Sequence, residues 1–505
     1  MFLHAQRWSK PGRLICALLV NLVLFGIPFM SSTTHAAGSY RAYADAAAAT
    51  LQRWYNSSNG QFNTTGWWNS ANALGAIIDY SARTSSTAYT GDISTSYNTN
   101  ASGNFLNDYY DDEGWWALTW VKAYDLTNDS RYLTMAKTIF NDMKGGWDTT
   151  CGGGIWWSKA RSYKNAIPNE LFLALATSLH QRTPGDSGSG SYLDWSNQEW
   201  NWFNNSGMIN SSSLINDGLD SSCHNNGQTT WTYNQGVILA GLSDLYKITG
   251  TSSYLSKAEA IANAATSTLI NANGILKEPC ETSCNGDASQ FKGIFMRNLY
   301  YLYQTDSKQA YRDFITRNVD SIWANDRNSS NQLGLQWYGP FDSADASRQS
   351  SALDAINAAI PFSSANLALN KPASADSTCS SSETPNKAVD GSITNNSKWC
   401  SGGTSGKYWL RVDLQSSMSI ARFTIQHAGA GGENMAWNTR DFNIQVSSDG
   451  TNWTTVVTVT GNTSNTTTHT ISARTARYVQ LNITNPQSST QTVAARIYEL
   501  GVYSS

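Results

Sequence analysis

Charge is what this chain has least of. Asp, Glu, Lys and Arg make up 14% of its 505 residues, where about a quarter is usual in soluble domains. Lysine is sparse, and the formal net charge is −3. Without a basic surplus there is no electrostatic footprint for nucleic acid. Zinc is disfavoured as well, because no His falls at ligand spacing near the cysteines. Aromatics stand out instead, with 20 Trp and 24 Tyr among abundant Gly, Ser, Thr and Asn. Sugars suit such a chain: their C–H faces stack on rings and their hydroxyls bond to amides and acids.

The N-terminus reads as a secretory signal. Arg7, Lys10 and Arg13 precede the apolar run "LICALLVNLVLFGIPFM", and Thr34 and Ala36 offer small residues at a cleavage site. Cleavage is expected after Ala36, giving a signal peptide over 1–36 and a secreted, extracellular protein. The rival is a membrane anchor, but the run is short and broken by Asn21 and Pro28. Seven cysteines include Cys16 in the signal. The other six form an even set, as disulfides in an exported chain require. Six cysteines allow 15 pairings. Locality joins Cys280 to Cys284 and Cys379 to Cys400, which leaves Cys151 with Cys223.

From residue 38 to 362 the apolar pattern is helical. Segments such as "WWNSANALGAIIDYSART", "DDEGWWALTWVKAYDLTND", "IPNELFLALATSLHQRTPGD", "TYNQGVILAGLSDLYKITG" and "QFKGIFMRNLYYLYQTDS" share one form, with a weaker sixth in "ASRQSSALDAINAAI". They are small and apolar nearly all round, as buried helices must be. Six one-sided amphipathic helices alternate with them. Six inside six predicts an (α/α)6 barrel, with a solenoid of the same hairpins as the alternative. In the barrel all inner N-termini gather at one end. Trp67, Trp68, Asp111, Asp112, Asn169, Glu170, Asn234, Gln235, Gln290 and Lys292 fall there. From about 366 to 505 the period becomes two, as in "YWLRVDL", "DFNIQVSSDG" and "ARYVQLNIT", which predicts an all-β sandwich.

The stretch "YYDDEGWWALTW" sets three acids, Asp111, Asp112 and Glu113, beside Trp115 and Trp116. One acid at a helix start is an N-cap favoured by the dipole; three exceed that need. Glycoside hydrolysis uses two carboxyl groups flanking one bond, one ionised and one protonated. Neighbours on a helix point about 100° apart, so both reach one sugar only at a loop-to-helix junction. That is where the repeat places them.

This motif, with "CGGGIWWS", "KNAIPNELF", "TYNQG" and "GDASQFKGIFMRNL", resembles glycoside hydrolase family 76, the endo-α-1,6-mannanases. The resemblance implies retaining hydrolysis of α-1,6-linked mannan without a catalytic cofactor. It also implies Asp111 as nucleophile and Asp112 as general acid and then base. Fungal relatives act on cell-wall anchors, which keeps a mannan transglycosylase open; a non-catalytic wall-binding lectin is the third reading. Trp67, Trp68, Trp156, Trp157 and Tyr233 are candidate sugar platforms, with core packing as their alternative role. One Trp of each pair is expected to face the cleft. Asn234, Gln235, Asp287 and Lys292 are candidates to bond mannose hydroxyls, with helix capping as the alternative. Glu113 and Glu170 are rivals for a catalytic role.

"NLALNKPASADST", "NKAVDGSITNNSKWC", "DFNIQVSSDGTNW" and "RYVQLNI" resemble the coagulation factor 5/8 type C, or discoidin, domain, known in sugar enzymes as carbohydrate-binding module family 32. The resemblance implies one structural Ca²⁺, held by Asp390 and Glu499; hard oxygen ligands suit that ion. Asp390 lies farther from Trp399 than the family's spacing, so Asn395 and Ser397 stand as substitutes for its Thr ligand. The ligand loop is expected in "QHAGAGGENMAWNTR", with His427, Glu433, Trp437, Asn438 and Arg440. The whole is expected to be a monomer acting on α-mannan or a related cell-wall polysaccharide, free of the membrane after signal cleavage.

Overall fold

The computed structural model describes residues 40–363, 366–393, 397–402, 408–487 and 494–504. The expected signal peptide and Asn395 lie outside the described residues. Helices come first in the chain: α1 (Tyr40–Leu51), α2 (Trp67–Thr84), α3 (Gly91–Asn100), α4 (Tyr110–Thr127), α5 (Ser130–Lys144) and α6 (Ala166–Gln181). They continue with α7 (Tyr192–Asn205), α8 (Thr232–Thr249), α9 (Ser252–Thr268), α10 (Ala288–Asp306), α11 (Gln309–Asn325) and α12 (Ala346–Ala359). Even-numbered helices pack side by side in the order α2, α4, α6, α8, α10, α12, and α12 returns to α2. That return closes the ring and makes an (α/α)6 barrel rather than a solenoid. Odd-numbered helices pack around the outside.

Local chemistry explains the boundaries. Asp129, Ser191 and Asp345 accept backbone N–H groups at the starts of α5, α7 and α12, meeting donors that a helix leaves unpaired. Four inner helices stop at a left-handed residue, Ser85, Asn128, Gly250 or Ser307, the usual C-terminal geometry. Small residues set the spacing inside. A Cβ on Gly293 would lie 2.4 Å from the Ser351 carbonyl oxygen, so α10 and α12 touch backbone to backbone there. No helix among the described residues is long and apolar enough to cross a membrane.

The C-terminal region is all β. A short hairpin, β1 (Tyr55–Asn56) with β2 (Gln61–Phe62), belongs to the barrel loops. The later strands are β3 (Ala373–Ala375), β4 (Trp399–Ser401), β5 (Tyr408–His427), β6 (Asp441–Ser447), β7 (Thr454–Val459), β8 (Thr466–Asn485) and β9 (Ala495–Tyr503). They pair antiparallel in the order β4-β9-β5-β8-β6-β7, with β3 on β5. The stretches "YWLRVDL" and "IARFTIQHA" are halves of one strand, β5, with register breaks after Asp413 and after Ile420. Leu410, Val412, Phe423, Ile425, Phe442 and Leu481 fill the core. Disulfides join Cys151 to Cys223, Cys280 to Cys284 and Cys379 to Cys400, the pairing that locality predicts.

Candidate active site

The N-terminal ends of the inner helices and their preceding loops enclose a cleft of about 460 Å³. Aromatic rings line it. Tyr233 stacks on Phe291 at 3.9 Å, Trp68 faces Trp115 at 5.7 Å, and Tyr109 leans on Trp157 at 4.9 Å. Four carboxylates also line it: Asp111, Asp112, Asp217 and Asp287. No Lys or Arg is among the described residues of its lining. Acids with rings and no cation make poor structural ion pairs and a reactive site.

Asp111 and Asp112 stand in the first turn of α4, so both reach the cleft. Trp157 Nε1–H donates to Asp111 Oδ2 at 3.1 Å, while Oδ1 has no hydrogen-bond partner. Asn107 donates to Asp112 Oδ2 at 2.6 Å. Burial, and then the Asp112 charge, push Asp111 up to about 8. Burial raises Asp112 to about 6 against the Asn107 hydrogen bond, with Asp287 adding repulsion. Two close carboxyls cannot both ionise readily, so the pair holds one proton near neutrality. Glu113 turns away. Its Oε1 accepts the Asn107 backbone N–H at 3.1 Å and pairs with Lys159 at 2.9 Å.

One device holds the mouth together. The fourth residue of an inner helix takes a backbone N–H from the loop before it. Ser70 takes Phe62, Glu113 takes Asn107, Asn169 takes Ile155, Gln235 takes Ile215, and Gln349 takes Leu333. Each bond anchors a loop whose next residues reach inward. Trp157 follows Ile155 by two positions, and Asp217 follows Ile215 by two.

In the β region, Asp390 and Glu499 approach one loop. Asp390 accepts from the Ser392 N–H at 3.0 Å and from the Ser397 hydroxyl. Glu499 accepts from Gly391 N–H and Asn366, each at 3.1 Å. Burial raises Glu499 to about 8, against the Gly391 hydrogen bond and helped by the Asp390 charge. At another surface, Arg496 lies over the Trp437 ring at 4.7 Å and pairs with Glu433 at 3.2 Å. Glu433 also accepts from Tyr498 at 2.7 Å and Lys398 at 3.0 Å.

The family model described as Glycosyl hydrolase family 76 matches residues 39–370. The chain belongs to glycosyl hydrolase family 76. A second model, described as NedA-like, galactose-binding domain, matches residues 387–481. Mannan endo-1,6-alpha-mannosidase DCW1 of Candida albicans is 29% identical over 262 residues, 46% of this chain and 57% of that protein. The chain spans about three fifths of the length of the curated relatives it matches. Among solved structures, the Lin0763 protein of Listeria innocua superposes with a TM-score of 0.58 and 25% identity, covering 64% of this chain and 97% of that one. The GH76A alpha-1,6-mannanase of Salegentibacter sp. HEL1_6 has the same fold, with a TM-score of 0.57 and 24% identity over 64% of this chain and 99% of that one.

Within the family 76 region the residues singled out from sequence divide sharply. Asp111, Asp112, Trp68, Trp157, Tyr233 and Asp287 share the cleft. Trp67 packs on Phe105 and Trp116 instead, and Trp156 donates to Asp148. Each tryptophan pair thus has one member in the cleft. Gln235 is corrected to a loop clamp, its amide also donating to Ile215 O and Trp231 O. Lys292 is corrected to a buried structural cation, bound to Glu281 at 2.5 Å and Leu335 O at 2.6 Å. Asn234 and Glu170 are fully buried outside the cleft lining, with no side-chain hydrogen bond.

In the β region, His427 is corrected to a core residue, bonded to Thr467 at 3.2 Å and held down at about 3 by burial and His469. Asn438 is corrected to a loop tie between Gly429, Thr463 and Asn465. Arg440 is partly exposed, and its backbone N–H donates to Asn485 O. Sequence reasoning missed Tyr109, Tyr163, Asp217 and Phe291 in the cleft. Asp217 stands two residues after Ile215, whose N–H the Gln235 side chain clamps, a relation visible only in the fold.

Proposed function

We propose that this chain is a secreted, retaining endo-α-1,6-mannanase with an attached carbohydrate-binding module. One observation carries the reading: the adjacent Asp111 and Asp112 open into one aromatic cleft with no Lys or Arg among the described residues of its lining. A nucleophilic carboxylate needs one oxygen held and one free to attack. Asp111 has that form, with Oδ2 on Trp157 and Oδ1 unbonded. Asp112 then protonates the departing glycosidic oxygen and later deprotonates water. The rings of Trp68, Trp157 and Tyr233 offer platforms for mannose units. Three disulfides suit an oxidising, extracellular setting.

A second reading reverses the two roles. It is favoured by the stronger upward push on Asp111, which leaves the shared proton there before substrate arrives. We prefer the first because a bound glycosidic oxygen beside Asp112 gives the proton a new acceptor, while Trp157 steadies the Asp111 charge. The test is incubation with linear α-1,6-mannan, with the anomer of the first product followed by NMR. Short α-anomeric products support the proposal. An inverted first product refutes the covalent mechanism. Longer transfer products mean a transglycosylase, and intact mannan means a lectin.

For the β region, the proposed metal is Ca²⁺ at Asp390, Ser397 and Glu499. The donors fit, because two carboxylates crowd there, Glu499 is pushed up in part by Asp390, and all are hard oxygens. Cys379, Glu383 and Cys400 also converge, but the two sulfurs are joined and offer no thiolate. Chelation of calcium-loaded protein should lower the melting temperature of the β region, since a ion bound only to the folded state stabilises it. An unchanged melting curve would remove calcium from the proposal. Trp437, Arg440 and the Glu433–Arg496 pair form the proposed glycan-facing surface.

A further inference from the structure

Lys164 is an unusual residue for a chain poor in lysine. Only 2% of it is exposed. Its ammonium meets five oxygens: Asp148 Oδ1 at 2.9 Å, Asp148 O at 3.4 Å, Thr150 O at 2.7 Å, Gly153 O at 2.7 Å and Gly154 O at 3.0 Å. An ammonium has three hydrogens to donate, so five oxygens are more than hydrogen bonding needs. Such a shell resembles the carbonyl shell that replaces water around a monovalent ion. Its distances exceed the 2.3–2.6 Å that Ca²⁺ requires. The Trp156 ring lies 4.8 Å from the charge, adding a cation–π contact.

The loop that wraps Lys164 is built for this wrapping. Gly153 and Gly154 have φ of +146° and +86°, and a Cβ on Gly154 would lie 2.3 Å from Trp202. Cys151 is tied to Cys223, and its carbonyl accepts from Trp202 Nε1 at 2.9 Å. Beyond the glycines the chain pairs with the start of α4. The Trp157 carbonyl accepts from Tyr110 N–H at 3.0 Å, Ser158 bridges Tyr109, and Trp157 Nε1 reaches Asp111. Other charges do not replace Lys164. Arg161 bonds to the other Asp148 oxygen at 3.3 Å and to Gly145 O, outside the carbonyl shell. Glu199 is fully buried with neither oxygen hydrogen-bonded.

We propose that the Lys164 ammonium is a built-in monovalent cation that shapes loop 148–157, and so is a positioning residue for Asp111 through Trp157. The effect on turnover rests on the proposed hydrolase reading; the cation cage does not. Lys164→Ala removes three carbons and the nitrogen, the outline of n-propylammonium. The full-length variant should lose about 100-fold in kcat on α-1,6-mannan, the cost of a small misplacement at a reacting group, with KM changed less than about threefold. Added n-propylammonium should recover about tenfold of kcat and raise the melting temperature of the variant but not of the wild type. Neutral 1-propanol should do neither.

Rescue by propanol equal to that by the amine would overturn the proposal, because packing alone would then explain the loss. So would a kcat within about twofold of wild type, or no response of either readout to the amine. If Lys164→Ala does not fold, Lys164→Met decides the matter, since it keeps the stem and loses the charge. Lost kcat with a near-native melting temperature supports the proposal, and unchanged kcat refutes it. If the wild type leaves the mannan intact, the hydrolase reading falls, and the amine-dependent melting shift alone judges the cage.

Discussion

The two ends of the helical barrel treat their acids in opposite ways. At the far end, the C-terminal halves of the inner helices surround a cavity of about 270 Å³. There Asp79 meets Lys122 at 2.5 Å, Asp125 meets Arg182 at 2.5 Å, and Arg297 joins Asp354 at 2.9 Å and Asn72 at 2.6 Å. Burial opposes the Asp79 charge, yet Lys122 and Arg83 hold it below the usual carboxylate range. At the cleft end Asp111 and Asp112 have neutral donors only, and both are pushed up. The same helices therefore carry one end where the acids are paired with cations and one where they are not, the end proposed to be reactive. Trp115 lines both cavities and separates them. Acids alone do not mark a site; acids deprived of cations among rings do.

The strongest way to break this comparison is at the reactive end. Asp111→Asn should lower kcat on mannan about 10⁴-fold, the scale seen when one member of a catalytic set is removed. Its melting temperature should hold or rise, because a buried, repelled carboxyl is gone. Asp112→Asn should lose about 10²–10⁴-fold, the usual worth of a general acid. The loss should shrink on a substrate whose leaving group needs no proton, and azide should speed that variant. A glycosyl azide of retained configuration from Asp111→Asn instead of Asp112→Asn would reverse the two roles.

At the paired end the same kind of change should act on stability. Arg297→Met leaves Asp354 buried without its partner and should cost about 3 kcal/mol. That is the low side for a broken buried pair, because burial already raises Asp354 against Arg297 and the acid can take up a proton. Urea titration measures it. Turnover per folded molecule should fall far less than in the aspartate variants. A stable Arg297→Met protein without activity would show that the far end is not merely structural.

A pH series sharpens the contrast further. With Asp112 near 6 and Asp111 near 8, the singly protonated pair prevails between them, so kcat/KM should be bell-shaped with limbs near those values. Stability carries its own sign. Asp111, Glu113 and Glu278 are each raised to about 8 in the folded chain. A raised carboxyl stabilises fully below its unfolded value and loses that contribution as pH rises through the folded one. Melting temperature should therefore fall from pH 5 to pH 9, and less steeply in Asp111→Asn.

How much of this was legible in the chain depends on whether a feature is periodic. The twelve helices of the described residues follow from apolar repeats and from the small faces of α2, α8 and α12; closure over a solenoid is decided by the packing of α12 on α2. The aspartate pair is a contiguous motif at a position the repeat defines. The loop clamp was not legible, because Ser70, Glu113, Asn169, Gln235 and Gln349 do one job with four side-chain types. Without that clamp in view, Gln235 passes for a sugar ligand. Lys292 misleads for a related reason: its partners Glu281 and Leu335 O lie 11 and 43 residues away in sequence. In β5, the final His427 falls on a buried position that a Gly-rich loop context disguised. Which tryptophan of "WW" packs away from the cleft is set by rings of the neighbouring inner helix and its loop, Phe105 and Trp116 for Trp67.

Glu113 is the sharpest small test, because it belongs to neither end's pattern. It neighbours the reactive pair in sequence, yet it has a cation like the far-end acids. Burial pushes it up to about 8 against the Lys159 hydrogen bond, with Asp142 adding repulsion. Gln keeps the oxygen that Asn107 N–H needs. Lys159 keeps Asp142 at 3.0 Å. What is lost is one ion pair to a lysine that is 35% exposed, a weak contribution once solvent screens it. Glu113→Gln should therefore retain kcat within about fivefold, a change of about 1 kcal/mol in the barrier, and its melting temperature should depend less on pH. Glu113→Ala should do worse, because the Asn107 N–H loses its acceptor and the loop that positions Asp112 loosens. If Glu113→Gln is as inactive as Asp111→Asn while Asp112→Asn stays near normal, the proton donor is Glu113, and the cation beside it tunes an acid.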